Sequence, residues 1–135
     1  MERHCANALA VAKWLESDPR VSWVSFPGLE SDKYHTLAEK YMPNGTCGVI
    51  SFGVPGGREK VSAFLDHLKM VSIATHVADA RSCTLYPAGT THRQLTEEQL
   101  EEAGVGIDLV RLSCGIENAD DIIADLDQAL AAVQE

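Results

Sequence analysis

No apolar run in this 135-residue sequence approaches the roughly 18 residues that cross a bilayer as a helix. The first residues, Met1-Glu-Arg-His-Cys5, lack the charged-then-apolar leader of a secreted protein, so a cytoplasmic location is expected. Positive charge is scarce as well: 11 Lys and Arg stand against 20 Asp and Glu, a net charge of −9. That balance argues against nucleic acid or an anionic membrane as a partner. Cysteine is present only at 5, 47, 83 and 114, with no CxxC pair and no Cys/His cluster at zinc-ligand spacing. The expectation is buried free thiols and no metal. What is plentiful is ordinary: 45% hydrophobic and 23% charged residues make one globular domain with a real core.

Periodicity divides the chain into helices and strands. Residues 2–17 carry Cys5, Ala8, Leu9, Ala12 and Leu15 at helical spacing, and Ser17-Asp-Pro19 ends the run. Residues 21–26 form a β-rich run closed by Pro27-Gly28, and 32–41 a short helix stopping before Met42-Pro-Asn-Gly45. A second strand over 47–54 puts Ile50, Phe52 and Val54 on one face, and a helix over 57–69 shows the stripe Val61, Phe64, Leu65, Leu68. Strands are predicted over 71–77, 84–86 and 109–115. Thr96-Glu-Glu-Gln99 has the form of a capping box opening an acidic helix to about 103. Asn118 and Asp121 cap a last helix to 134 with the stripe Ile122, Ile123, Leu126, Ala129, Leu130 and Val133. The fold class is therefore α/β, helices layered on a sheet, with Ile50, Phe52, Ile73, Val110 and Leu112 in the core. Residues 87–108 form a long connection, a common place for function.

Few residues suit chemistry. Val54-Pro-Gly-Gly-Arg58 stands where phosphate loops stand but matches neither glycine-rich phosphate pattern, and reads as a turn with a glycine N-cap. Lysines 13, 33, 40, 60 and 69 fall among polar neighbours, on solvated surface. The acids 97, 98, 101 and 102 make a solvated helix face. Arg111 differs: between Thr96 and Glu135 it is the one base among eleven acids. Strand parity sets Leu109, Arg111 and Ser113 opposite Val110, Leu112 and Cys114. Bidentate capture of a carboxylate and a salt bridge to a nearby acid are both open for it. In the third strand, Val71, Ile73, Thr75 and Val77 oppose Ser72, Ala74 and His76, so His76 would emerge on the Arg111 side, as an acid–base group or a structural histidine. Tyr86-Pro-Ala-Gly-Thr-Thr-His92 adds two hydroxyls and an imidazole at the mouth of the long connection.

Several segments in order carry a resemblance. Ser72-Ile-Ala-Thr-His-Val-Ala-Asp-Ala-Arg81, Pro87-Ala-Gly-Thr-Thr-His92, Leu109-Val-Arg-Leu-Ser-Cys-Gly-Ile-Glu117 and Asp120-Asp-Ile-Ile-Ala-Asp-Leu126 resemble the C-terminal domain of the Cys/Met-metabolism PLP-dependent enzymes. The opening Met1-Glu-Arg-His and Pro27-Gly-Leu-Glu30 are similar too. Ala78-Asp79-Ala80, the Thr-Thr-His form and the acidic stretch from Glu97 to Gly104 look most like the O-acetylhomoserine sulfhydrylase branch.

The resemblance implies the small C-terminal domain of fold type I: a mostly antiparallel sheet with helices covering one face. It implies transfer of sulfide or a thiol onto O-acetyl-L-homoserine to give homocysteine and acetate, with pyridoxal 5'-phosphate as cofactor. It gives Arg111 the substrate α-carboxylate and places Thr91 near the substrate side chain. His76 matches a position beside the substrate that is usually Ser or Asn, a departure from the pattern. Residues 1–135 would be one domain of a larger enzyme, homo-oligomeric at full length. The Schiff-base lysine, the ring-stacking aromatic and the phosphate-binding residues would lie in a large PLP-binding domain of the same chain, leaving the present residues inactive alone and without cofactor. Other readings are a γ-lyase or cystathionine γ-synthase of the same family, and a stand-alone binding or assembly domain.

Overall fold

The computed structural model describes residues 1–134. The elements run α1 (Glu2–Ser17), β1 (Val24–Ser25), α2 (His35–Tyr41), β2 (Val49–Gly53), α3 (Gly57–Asp66), β3 (Ser72–Ile73), β4 (Cys83–Leu85), a 3-10 turn (Pro87–Gly89), α4 (Glu97–Glu102), β5 (Leu109–Ser113) and α5 (Ala119–Ala132). Five strands form one sheet in the order β1-β2-β5-β4-β3. All neighbours are antiparallel except β3 and β4, which are parallel. The expected α/β class and mostly antiparallel sheet are both present.

Alternation along β2 and β5 builds the core. Ile50 pairs with Leu112 and Phe52 with Val110, and all four are fully buried. The apolar stripes of α1 (Ala8, Val11, Ala12, Leu15), α3 (Val61, Phe64, Leu65) and α5 (Ile122, Leu126, Ala129, Leu130) complete it. Phe64 meets Phe52 edge to face at 6.1 Å, the geometry that sets a ring's positive edge on its neighbour's negative face. Each such buried side chain contributes about 1.5–3 kcal/mol relative to exposure.

Local chemistry sets the helix ends. Thr96 Oγ1 accepts from the Gln99 N–H while the Gln99 side chain accepts from the Thr96 N–H, so the capping box is formed. Asn118 Oδ1 accepts from the Asp120 N–H at the start of α5. Gly56, with φ of +114°, is the N-cap of α3, as a glycine there permits.

The edges of the sheet depart from expectation. The strand expected over 71–77 keeps only Ser72 and Ile73, and Ile73 is 54% exposed rather than in the core. It packs chiefly on β4 at the margin, beyond the helical layer, so parity there no longer separates core from solvent. Val71 beside it belongs to the core cluster, and its N–H, with those of Lys69 and Met70, donates to the buried carboxylate of Asp125 on α5 (2.8–2.9 Å). The strand expected over 21–26 likewise shrinks to Val24 and Ser25, and α3 stops at Asp66. Cys83 and Cys114 are buried thiols as expected, whereas Cys5 and Cys47 are half-buried, at the margin of the core. Burial pushes the Cys114 thiol up to about 12, so it stays protonated.

Candidate functional site

The face of the sheet away from the helices carries Ser51, Arg111 and Leu85 in one row and Val49, Ser113 and Cys83 in the next. Arg111 thus stands mid-sheet on β5, flanked by both neighbouring strands. Its Nη2–H donates to the Thr75 carbonyl at 2.9 Å. Among the described residues no carboxylate pairs with it, despite the net charge of −9. Of the two openings the sequence left, the salt bridge is not formed. Its Nε is buried and is the one buried side-chain polar atom among the described residues that has no hydrogen-bond partner. Native structures pair such atoms, because a buried donor without an acceptor forfeits its hydration, and more so when charged. A guanidinium pinned at Nη2 with Nε free keeps donors in a planar fork for an incoming carboxylate.

His76 comes close to this group through the backbone, since Thr75 is its neighbour. Its strand does not persist to 76, so it lies on a turn rather than on the sheet face, exposed to solvent. Nδ1–H donates to Asp79 Oδ2 at 3.3 Å. The Arg81 N–H donates to Asp79 Oδ1 at 3.0 Å, and this bond, opposed by desolvation and aided by the Arg81 guanidinium, holds the Asp79 carboxyl below the usual carboxylate range. Thr91 is exposed on the segment after the 3-10 turn, its Oγ1 2.9 Å from His92 Nδ1, and no hydrogen bond links it to Arg111. Thr90 Oγ1 is spent locally on the Tyr86 carbonyl. The structure therefore ties Arg111 to the residue preceding His76, and no hydrogen bond joins Thr91 to that pair.

Sequence reasoning missed the supports of this site. Ser113 is buried two residues beyond Arg111, and its Oγ accepts from the Ala78 N–H at 3.2 Å. Glu117 accepts from the Ser82 N–H (2.6 Å) and hydroxyl (2.9 Å), and Ser82 Oγ accepts from the Gly115 N–H. A Cβ on Gly115 would strike the Ala80 carbonyl, so only glycine lets the strand after β5 approach that segment. His4 and Asn7 of α1 donate to the Cys114, Gly115 and Glu117 carbonyls, tying the first helix to the end of β5. For Asp125 a signal was there: an acid inside the Ile122–Leu126–Ala129 stripe.

A family model described as Cys/Met metabolism PLP-dependent enzyme matches residues 1–131. The chain belongs to that family. It is 52% identical over 130 residues to a homocysteine synthase from Schizosaccharomyces pombe and 46% identical over 131 residues to an O-acetyl-L-homoserine sulfhydrylase from Leptospira meyeri. Each alignment covers 96% of this chain and 30% of the relative, so the chain spans about a third of the length of the curated relatives it matches. A crystal structure of a protein assigned as an O-acetylhomoserine (thiol)-lyase from Campylobacter jejuni, with a pyridoxyl-lysine monophosphate, superimposes with a TM-score of 0.89 at 40% identity. That match covers 96% of this chain and 31% of the other.

The family is PLP-dependent, and the residues present here do not fit the cofactor. All five lysines are exposed, with Lys33 and Lys40 lying over the rings of Tyr34 and Tyr41 at 4.8 and 5.0 Å. None stands in the desolvating pocket that makes a lysine amine nucleophilic near neutrality. What the chain does offer is the partnerless Nε of Arg111.

Proposed function

We propose that this chain is the substrate-carboxylate-binding domain of a PLP-dependent O-acetyl-L-homoserine sulfhydrylase, which replaces acetate by sulfide to give homocysteine. The observation that carries the reading is the buried, partnerless Nε of Arg111 on the sheet face away from the helices. The relatives named above support the substrate. In this reading Arg111 grips the α-carboxylate through two parallel charge-assisted hydrogen bonds and so fixes how the substrate is turned toward a cofactor bound by the rest of the enzyme. PLP, when bound there, supplies the electron sink for the chemistry. His76 and Thr91 line the approach of the substrate, His76 beside the carboxylate and Thr91 toward the side chain. The large PLP domain is the partner this chain requires, and the residues described here carry no catalytic group of their own.

The test is a titration of the 135-residue chain with O-acetyl-L-homoserine, followed at the Nε–H resonance of Arg111 by NMR. A saturable shift is expected with the amino acid and none with its carboxamide. Equal responses to both compounds, or no response at Arg111, would contradict the assignment.

A further inference from the structure

Ala78 is the only non-glycine among the described residues with a positive φ, at +59°. A side chain with a Cβ is strained in that region and stays there only when its surroundings hold it. Here the holding group is identified: Ala78 N–H donates to Ser113 Oγ, a hydroxyl on a residue 2% exposed. Three residues earlier in the same turn, the Thr75 carbonyl accepts from Arg111 Nη2. Arg111 and Ser113 are i and i+2 on β5 and share one face. One turn is thus tethered at two points by one face of one strand, and the segment between the tethers contains His76.

We propose that Ser113 is a positioning residue for the carboxylate site, acting through the strained turn at Ala78 to set Thr75 against Arg111. Without the Ser113 acceptor, Ala78 relaxes to negative φ, the preceding peptides rotate and the Thr75 carbonyl leaves Nη2. The guanidinium then loses the contact that orients its Nε edge, and His76 loses its place beside it. Ser113 touches no substrate in this scheme. The inference rests on the carboxylate reading of Arg111.

The same NMR titration, run on Ser113→Ala, Ala78→Gly, the double variant and Ser113→Thr, decides it. Ser113→Ala is expected to raise the dissociation constant for O-acetyl-L-homoserine on the order of tenfold, by analogy with loss of one orienting hydrogen bond, and to shift the free Arg111 Nε–H resonance, with little change in melting. Ser113→Thr restores a hydroxyl and recovers part of the affinity. In the Ala78→Gly background the left-handed backbone is no longer strained, so the loss on removing Ser113 shrinks. Ala78→Val opposes that backbone while leaving Ser113 in place and reproduces the loss, which decides the matter should Ser113→Ala unfold. Unchanged affinity in Ser113→Ala, or an equal loss in both Ala78 backgrounds, overturns the proposal alone. A wild-type chain with no carboxylate-dependent shift at Arg111 overturns the carboxylate reading, and the role of Ser113 with it.

Discussion

Arg111 shows what a single position in a sequence can and cannot say. That it faces away from the core was legible from the alternation of Leu109-Val-Arg-Leu-Ser113, and β5 bears it out. That it has no carboxylate partner was not legible, because a salt bridge depends on which acids the loops bring near. The lysines were readable for the complementary reason: none stands in an apolar pocket pattern, and all five are exposed. A chain whose amines are all exposed offers PLP no single privileged site. Mixed with PLP and reduced with borohydride, the chain is therefore expected to show scattered, substoichiometric labelling with no saturable visible band. A one-to-one adduct at one lysine would contradict this.

Elements were legible where they are long and half-buried, and not where they are edges. The main stripes of α3 and α5 and the alternation in β2 and β5 matched the structure because burial on one face enforces the period. In α1 the buried face is Ala8, Val11, Ala12 and Leu15, with the expected Cys5 and Leu9 only half-buried. At β3 the period-two reading failed at Ile73, since an edge strand of two residues has no helix above it to give its faces different surroundings. What fixes that segment instead is Asp125. Desolvation pushes its carboxyl up, but the three backbone N–H bonds from residues 69–71 and the Gln128 side chain outweigh it and hold the pKa below the usual range. Asp125→Ala leaves those donors without an acceptor and is expected to cost about 2–3 kcal/mol in urea unfolding, the scale of buried donors unpaired. Because the folded pKa is depressed, the stabilisation is complete above the unfolded value of about 3.9 and is lost as pH falls through the folded one. The wild-type advantage should thus be flat near neutrality and shrink below about pH 4. An advantage that grows on acidification would mean the carboxylate is not the acceptor.

At the scale of the molecule, helices pack one face of the sheet and Arg111 stands on the other. Leu112 tests the first half. It is fully buried on the central strand, so Leu112→Asp places an unpaired charge in the core and is expected to abolish cooperative unfolding, against a total stability of about 5–15 kcal/mol for a domain. Ile73→Asp, at an exposed edge, should change stability by no more than about 0.5 kcal/mol. A soluble Leu112→Asp chain with wild-type melting would show that the faces are inverted.

The proposed role of Arg111 is tested most directly by the kinetics of Arg111→Ala and Arg111→Lys in a PLP-loaded enzyme carrying these residues as the proposal has it. A guanidinium that forks a carboxylate contributes both charge and geometry; lysine keeps the first and alanine neither. The expected result is a loss in kcat/KM for O-acetylhomoserine of about 2–4 kcal/mol in barrier for alanine, with a raised KM, an intermediate loss for lysine, and melting temperatures close to wild type. Near-normal kcat/KM in Arg111→Ala, together with unfolding several degrees earlier, would contradict the carboxylate assignment and make Arg111 a structural tie to the Thr75 carbonyl.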